Sequence, residues 1–390
     1  MSDLKRQRAG LSVYFFLSGL CFSSWASRIP TIKAGFDLNE AELGSLLFAM
    51  PISSLIGLPV SGWLVDKFDS RWPLLWSFVF HGLFLLMIGL ASTVWMFTVA
   101  IFLFAFSNRI SNIAMNTQAI NLQNMFTKKI NGSFHGLWSL GGIAGVGITT
   151  LMLSLNISIE SHFIGIALIV LIMIIPSFRH LLAKDKTAGP SQIFIKPDPL
   201  IMILGLVVFC AAICEGSMFD WSGIYFREVV NVELFTAGYL VFMSSMALSR
   251  FFSDWFIDLL GMQKTFILSS AMIVIGLAMA IIWPYFWPAM IGFMIVGAGT
   301  ASIVPMVFTL AGKSKTYKPG IALSMIATFA LVGFMLGPPL IGYIAHAFNL
   351  RFSFVLVAFC GLLIIPASIG YFRKDRATAK VSASPNLGEI

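Results

Sequence analysis

In this chain of 390 residues, 58% are hydrophobic and only 11% are charged. Soluble domains carry about 25% charged residues, so the mean hydropathy of +0.90 excludes one. The net charge of +8 could suit a nucleic-acid partner, but the basic residues fall between long apolar runs, which excludes that class and leaves a polytopic membrane protein.

A helix needs ~20 mostly apolar residues to cross a bilayer. Such runs predict spans near 10–29, 43–65, 73–92, 95–124, 134–154 and 161–178, then 199–225, 235–259, 265–283, 288–311, 320–346 and 352–372. They are long and continuously apolar, unlike the short alternating strands of a membrane barrel. Lys5, Arg6 and Arg8 precede the first run as in a secretory leader. That run continues through Trp25 and Arg28 without a small-residue cleavage site, so it reads as an uncleaved first helix. Twelve spans put both termini on one face. Nineteen Lys and Arg residues lie on that face, against Arg28, Lys33, Arg227 and Arg351 on the other. The positive-inside bias makes the terminus face cytoplasmic, as in a bacterial inner-membrane protein. Cys21, Cys210, Cys214 and Cys360 all fall inside spans and read as packing residues.

The one long polar interruption, Ser177–Pro199, separates six spans from six. It implies bundles over 1–178 and 199–375, a linker over 179–198 and a polar, disordered tail over 376–390. The halves read as a repeat: Trp25 matches Trp221 at an offset of 196, and Asp66 matches Asp258 at 192. Repeats of this kind place a solute site between two bundles near the midplane.

Charged side chains within spans cost about 2.5–3.5 kcal/mol on insertion scales, so each is a functional candidate. Here they are Arg109, Glu215, Asp220, Arg250 and Asp254, with Arg28 at an outer edge. Desolvation disfavours a carboxylate's charged form, which suits Glu215, ahead of Asp220, to carry a coupling proton. An ion pair of Asp220 with Arg28 is the structural alternative. Asn108, Asn112 and Asn116 recur every fourth residue and share a helix face. Amides there can line a cavity for a hydroxyl-rich or zwitterionic solute, or bind neighbouring helices. Arg109 either meets a substrate carboxylate or pairs internally, for example with Glu215. His135 and Trp138 share span 5, the histidine near its inner end. Trp25 and Trp221 either flank a solute or sit at the interfaces. Arg250 and Asp254, four apart, can pair locally near the inner gate. Glycines such as Gly141, Gly142, Gly145, Gly333, Gly337 and Gly342 allow close helix approach, and Pro305, Pro338 and Pro339 kink or break helices.

Gly62-Trp63-Leu64-Val65-Asp66-Lys67-Phe68-Asp69-Ser70-Arg71 resembles the G-x-L-x-D-R/K-x-G-x-R signature of the major facilitator superfamily. Asp69 stands where that pattern has Gly. Ser24–Pro30, Ile113–Asn116, Phe134–Gly142, Glu215–Ser222 and Gly337–Gly342 are similar to the bacterial YbjJ/MosC-like branch. That branch usually has Asp where this chain has Asn112. The resemblance implies two pseudo-symmetric six-helix bundles and a cytoplasmic gate at Asp66, Lys67 and Arg71, echoed by Arg250, Asp254 and Asp258. It also implies a monomeric secondary transporter for a small, polyol- or sugar-like solute, driven by a proton or other ion. A drug or metabolite exporter and a membrane sensor are the alternatives. No nucleophile–base set, metal-spaced histidine cluster or G-x-x-x-x-G-K-[ST] loop is present. No enzyme, cofactor, metal or nucleic-acid partner is therefore expected.

Overall fold

The computed structural model describes residues 3–127, 130–183, 196–314 and 316–383, without the side chains of 254, 319 and 377–383. Its helices are α1 (Asp3–Ala26), α2 (Ile29–Gly35), α3 (Glu40–Leu47), α4 (Ala49–Phe68), α5 (Arg71–Leu90), α6 (Val94–Gln123), α7 (Asn131–Ser154) and α8 (Ile159–Phe178). The second half contributes α9 (Pro199–Glu228), α10 (Thr236–Leu260), α11 (Met262–Ile282), α12 (Phe286–Thr300), α13 (Ile303–Gly312), α14 (Pro319–Ala347) and α15 (Leu350–Ala383).

Three of the twelve spans are interrupted, and proline accounts for each break. A proline removes one helix hydrogen bond and clashes with the carbonyl four residues back. Pro30 divides α1 from α2, Pro51 follows the α3–α4 break at Phe48, and Pro305 follows the α12–α13 break. Pro338 and Pro339, also expected to kink or break a helix, lie inside an unbroken α14. Among the described residues, eleven of the spans are long and apolar enough to cross a membrane. The twelfth, α10, has the length at 25 residues but carries Arg250 and Asp258. The final helix runs to Ala383, into the segment expected as a disordered tail. Most of the linker, 184–195, lies outside the described residues, as do Lys128 and Lys129.

The repeat is visible in which helices touch. In the first half α1 packs on α7 and α8, α5 on α6 and α8, and α4 on α6. In the second, α9 packs on α14 and α15, α11 on α12 and α15, and α10 on α12, which is the same pairing span for span. The halves meet where α3 and α4 cross α14, where α10 crosses α7, and where α2 touches α9.

Equivalent positions hold one offset of 192 residues through the crossings. Gly141 of α7 lies against the backbone of α1, and Gly333 of α14 lies against the backbone of α9. The motif turn repeats as well. Asp69 has φ 59 and ψ 145, and its counterpart Gly261 has φ 77 and ψ 153. Only glycine adopts that region at no steric cost. The departure from the family signature thus falls on a strained residue. Asp69→Gly is expected to stabilise the fold by about 1 kcal/mol, read as a raised midpoint in thermal unfolding of the detergent-solubilised protein. An unchanged or lower midpoint would contradict the strain.

Candidate functional site

At the end remote from the termini the two halves are sealed to one another. Gly44 of α3 meets Gly342 of α14 so closely that a Cβ on Gly342 would stand 2.4 Å from the Glu40 carbonyl oxygen. The counterparts at the 192-residue offset are Thr236 and Thr150, and their hydroxyls bond at 2.7 Å. One seal is therefore a glycine crossing and its pseudo-symmetric partner a hydroxyl pair. Between them Lys33 Nζ donates to Glu40 Oε1 at 2.8 Å and to Glu228 Oε1 of the other half at 2.6 Å. Arg227 Nη1 donates to the Pro30 carbonyl at 2.7 Å. Ser45 and Tyr343 add a hydroxyl contact at 2.9 Å.

Nearer the middle, the Ser23 hydroxyl meets the Tyr239 hydroxyl at 3.0 Å. Phe22 stands edge-on to Phe219 at 5.5 Å and tilted to Trp138 at 6.1 Å. Phe219 packs edge-on to Tyr239 and Phe242. Towards the termini, no further hydrogen bond or ion pair joins the halves among the described residues. The seal therefore closes one mouth of the interface, and among the described residues the halves share no such tie towards the termini.

Beside this aromatic floor lie the charged groups. Glu215 of α9 is buried and accepts a hydrogen bond from Arg250 Nη2 of α10 at 3.2 Å. Arg250 thus holds the carboxylate of the neighbouring helix, where the sequence suggested Asp254 as its partner. The Asp254 side chain lies outside the described residues. Asp220 is half-buried and makes no ion pair among the described residues. Trp138 is half-buried, while His135 is exposed and edge-on to Phe15 at 5.6 Å.

Several expectations are corrected by burial. Trp25 and Trp221 are each 0% exposed. Trp25 packs on Phe97 and Phe104 inside its own half, and both indoles are enclosed by protein rather than exposed at a surface. Arg28 is 2% exposed. Its Nε donates to His162 Nδ1 at 3.3 Å and its Nη2 to the Ile157 carbonyl at 3.0 Å. It therefore braces the α1–α2 turn against the start of α8, and its hydrogen bonds go to these groups rather than to Asp220. Arg109 lies on α6 with its stem facing Gly57 of α4 and has no ion pair among the described residues. Glu215, its suggested partner, belongs to Arg250. Asn112 is exposed and Asn116 half-buried. Asn116 Nδ2 donates to the Asn112 carbonyl at 2.8 Å and to its Oδ1 at 3.2 Å.

The signature residues form no latch in this state. Asp66, Lys67 and Asp258 are exposed. Lys67 sits over the rings of Trp63 and Phe68 at 4.7 and 5.2 Å, and Arg71 over Trp72 at 5.5 Å. No hydrogen bond from a neighbouring helix end reaches Asp66 among the described residues.

The seal itself was not legible in the sequence. Lys33 reads only as an outer-face cation, and nothing in the sequence singles out Glu40 or Glu228. Tyr239, as the polar ring at the start of an otherwise apolar span, carried a usable signal; Phe22 and Phe219 carried none among 37 phenylalanines.

The sequence profile of the Major Facilitator Superfamily matches residues 11–320 and 246–387. An uncharacterized MFS-type transporter of Yersinia pestis is 31% identical over 364 residues, 93% of this chain and 94% of that protein. The membrane protein MosC of Rhizobium meliloti is 28% identical over 371 residues, 93% and 89% of the two chains. Among solved structures, a variant of the nucleoside transporter NupG superposes with a TM-score of 0.80 at 12% identity, covering 94% of this chain and 100% of that one. A bacterial homolog of the human lysosomal transporter Spinster, inward-facing and unoccupied, superposes with a TM-score of 0.69 at 14% identity over 99% of both chains. These two are likenesses of fold. Taken with the profile and the relatives, they make the chain a multi-pass secondary transporter that belongs to the major facilitator superfamily.

Proposed function

We propose that this protein moves a small polar organic solute, polyol- or sugar-like, across the bacterial inner membrane by alternating access, with a proton taken up and released at Glu215. The termini and the open end face the cytoplasm, as the distribution of Lys and Arg argues. Residues 1–178 and 199–375 are the two bodies that rock. The observation that carries the coupling is the buried Glu215 held by Arg250 at 3.2 Å, beside the interface between the bodies. A buried carboxylate left by its cation is strongly destabilised in the charged form. Motion of α10 that withdraws Arg250 therefore favours protonation of Glu215, and its return favours release. Asp220 is the second carboxylate available to that proton. Trp138, Tyr239, Asn112, Asn116 and Arg109 supply the aromatic face and the hydroxyl, amide and guanidinium donors a hydroxyl-rich solute needs.

Two measurements test this reading. A thermal-shift screen of the purified protein against polyols, sugars, amino acids and apolar cations should show stabilisation by polyols or sugars. Stabilisation by apolar cations alone would favour a drug exporter. For coupling, uptake of labelled myo-inositol into proteoliposomes is followed under an imposed pH gradient. One coupled proton corresponds to about tenfold accumulation per pH unit. Glu215→Gln should lose accumulation while keeping solute exchange at zero gradient. Accumulation equal to wild type would end the role of Glu215.

A further inference from the structure

On the outer flank of the N-terminal half, α4, α5 and α6 enclose an apolar groove of about 780 Å³. Its walls include Leu64, Phe68, Trp72, Trp76, Phe80 and Phe106. The two serines in the lining turn their hydroxyls back on helix carbonyls, Ser77 to Leu74 at 2.9 Å and Ser107 to Phe104 at 2.8 Å. Nothing in the lining therefore asks for a polar solute. Along α5 the groove extends from Trp72 to Phe84, a helical rise of about 18 Å, which is the scale of one acyl chain.

Charge at one end distinguishes this groove from general lipid-facing surface. Lys67 Nζ lies 5.2 Å from the ring of Phe68 and the Arg71 guanidinium 5.5 Å from the ring of Trp72. Both rings belong to the groove wall. Neither cation has a carboxylate within ion-pair distance among the described residues. Arg71 Nε is buried with no hydrogen-bond partner. The nearest acid on α4, Asp66, is two residues from Leu64 and so about 200° round the helix, away from the groove. Asp69 belongs to the turn beyond.

We propose that this groove binds one anionic phospholipid, its acyl chain lying along α5 and its phosphate between Lys67 and Arg71. Positive side chains at a bilayer surface attract anionic headgroups, each additively. The apolar wall contributes chain contacts that are the same for any headgroup. Lys67 and Arg71 also belong to the family signature at the α4–α5 turn. A lipid held there occupies the two gate cations in the open form described above.

The test is native mass spectrometry of the delipidated full-length protein in detergent, titrated with dioleoyl phosphatidylglycerol or dioleoyl phosphatidylcholine. Wild type should bind the glycerol lipid about 30-fold more tightly, from two cations. Lys67→Gln/Arg71→Gln should bind both lipids alike. Leu103→Trp, which fills the groove, should weaken both. Millimolar glycerol 3-phosphate should displace neither. The proposal is overturned if the double charge variant keeps the wild-type preference. It is equally overturned if the filled groove binds as before, or if soluble glycerol 3-phosphate displaces the lipid. Should Leu103→Trp fail to give a monodisperse protein, the charge variant alone decides.

Discussion

Replacing Gly141 by alanine is expected to separate α1 from α7 and to cost the N-terminal half most of its stability. A Cβ at Gly141 would stand 1.9 Å from the Phe16 carbonyl oxygen, and one at Gly19 would stand 1.9 Å from the Trp138 carbonyl oxygen. Both contacts are with backbone, so no side chain can rotate away. The helices must move apart, and every pair they hold together loses contact, including Phe15 on Phe134 at 5.2 Å. Overpacking of a tight core costs about 1–3 kcal/mol and more where backbone must shift. In a membrane, close approach is itself the main source of helix affinity. The same change at Gly147, with nothing near its Cβ, should be neutral. The measurement is the fraction of monodisperse protein after heating in detergent. Gly141→Ala should fall by about 5 °C or more in midpoint relative to Gly147→Ala. Equal midpoints would contradict the account of the crossing.

Lys33→Ala is expected to open the sealed end. Lys33 has a side chain only 10% exposed, with Glu40 and Glu228 on either side. Removing it leaves two carboxylates facing each other from opposite halves with no cation between them. Breaking a buried pair by removing one partner is strongly destabilising because the remaining charges stay. Here the cheapest relief is separation of the halves, since Glu228 belongs to one and Glu40 to the other. A factor of ten or more in the closed–open equilibrium needs only about 1.4 kcal/mol. Modification of Thr150→Cys by a membrane-impermeant maleimide should therefore accelerate at least tenfold in the Lys33→Ala background, and Lys33→Arg should restore protection. An unchanged rate would mean that the glycine crossing holds the end shut without Lys33.

The sequence and the structure agree where membrane physics dictates the answer and part where packing does. Eleven spans follow from apolar length among the described residues, α10 completes the set despite its charges, and three spans break at prolines whose effect is local. The repeat was readable from Asp66 and Asp258 because both halves need the same turn. The site was partly legible. Glu215 and Arg250 stood out because a charge in a span is expensive wherever it points. Their pairing did not, since it joins two helices whose relative rotation no sequence spacing sets. Trp25, Trp221 and Arg28 misled for the same reason. A tryptophan at a span's outer part is as suited to a bundle interior as to a cavity wall, and only the neighbours Phe97 and Phe104 decide. The outer seal went unseen because Glu228 is 195 residues from Lys33 in the chain, and Lys33 and Glu40, seven residues apart, are unremarkable singly.

On the proposed mechanism, two bodies close one end as they open the other. Pulsed electron spin resonance tests it without knowledge of the solute, because the native cysteines are all buried and labels go to introduced ones. One pair, Glu42→Cys with Phe348→Cys, reports the sealed end; a second, Gly62→Cys with Leu259→Cys, reports the terminus end. In wild type the first distance should be short and narrow and the second long. In Lys33→Ala the first should lengthen and the second shorten in the same fraction of molecules. A first distance that lengthens while the second stays fixed would contradict alternating access by rigid halves.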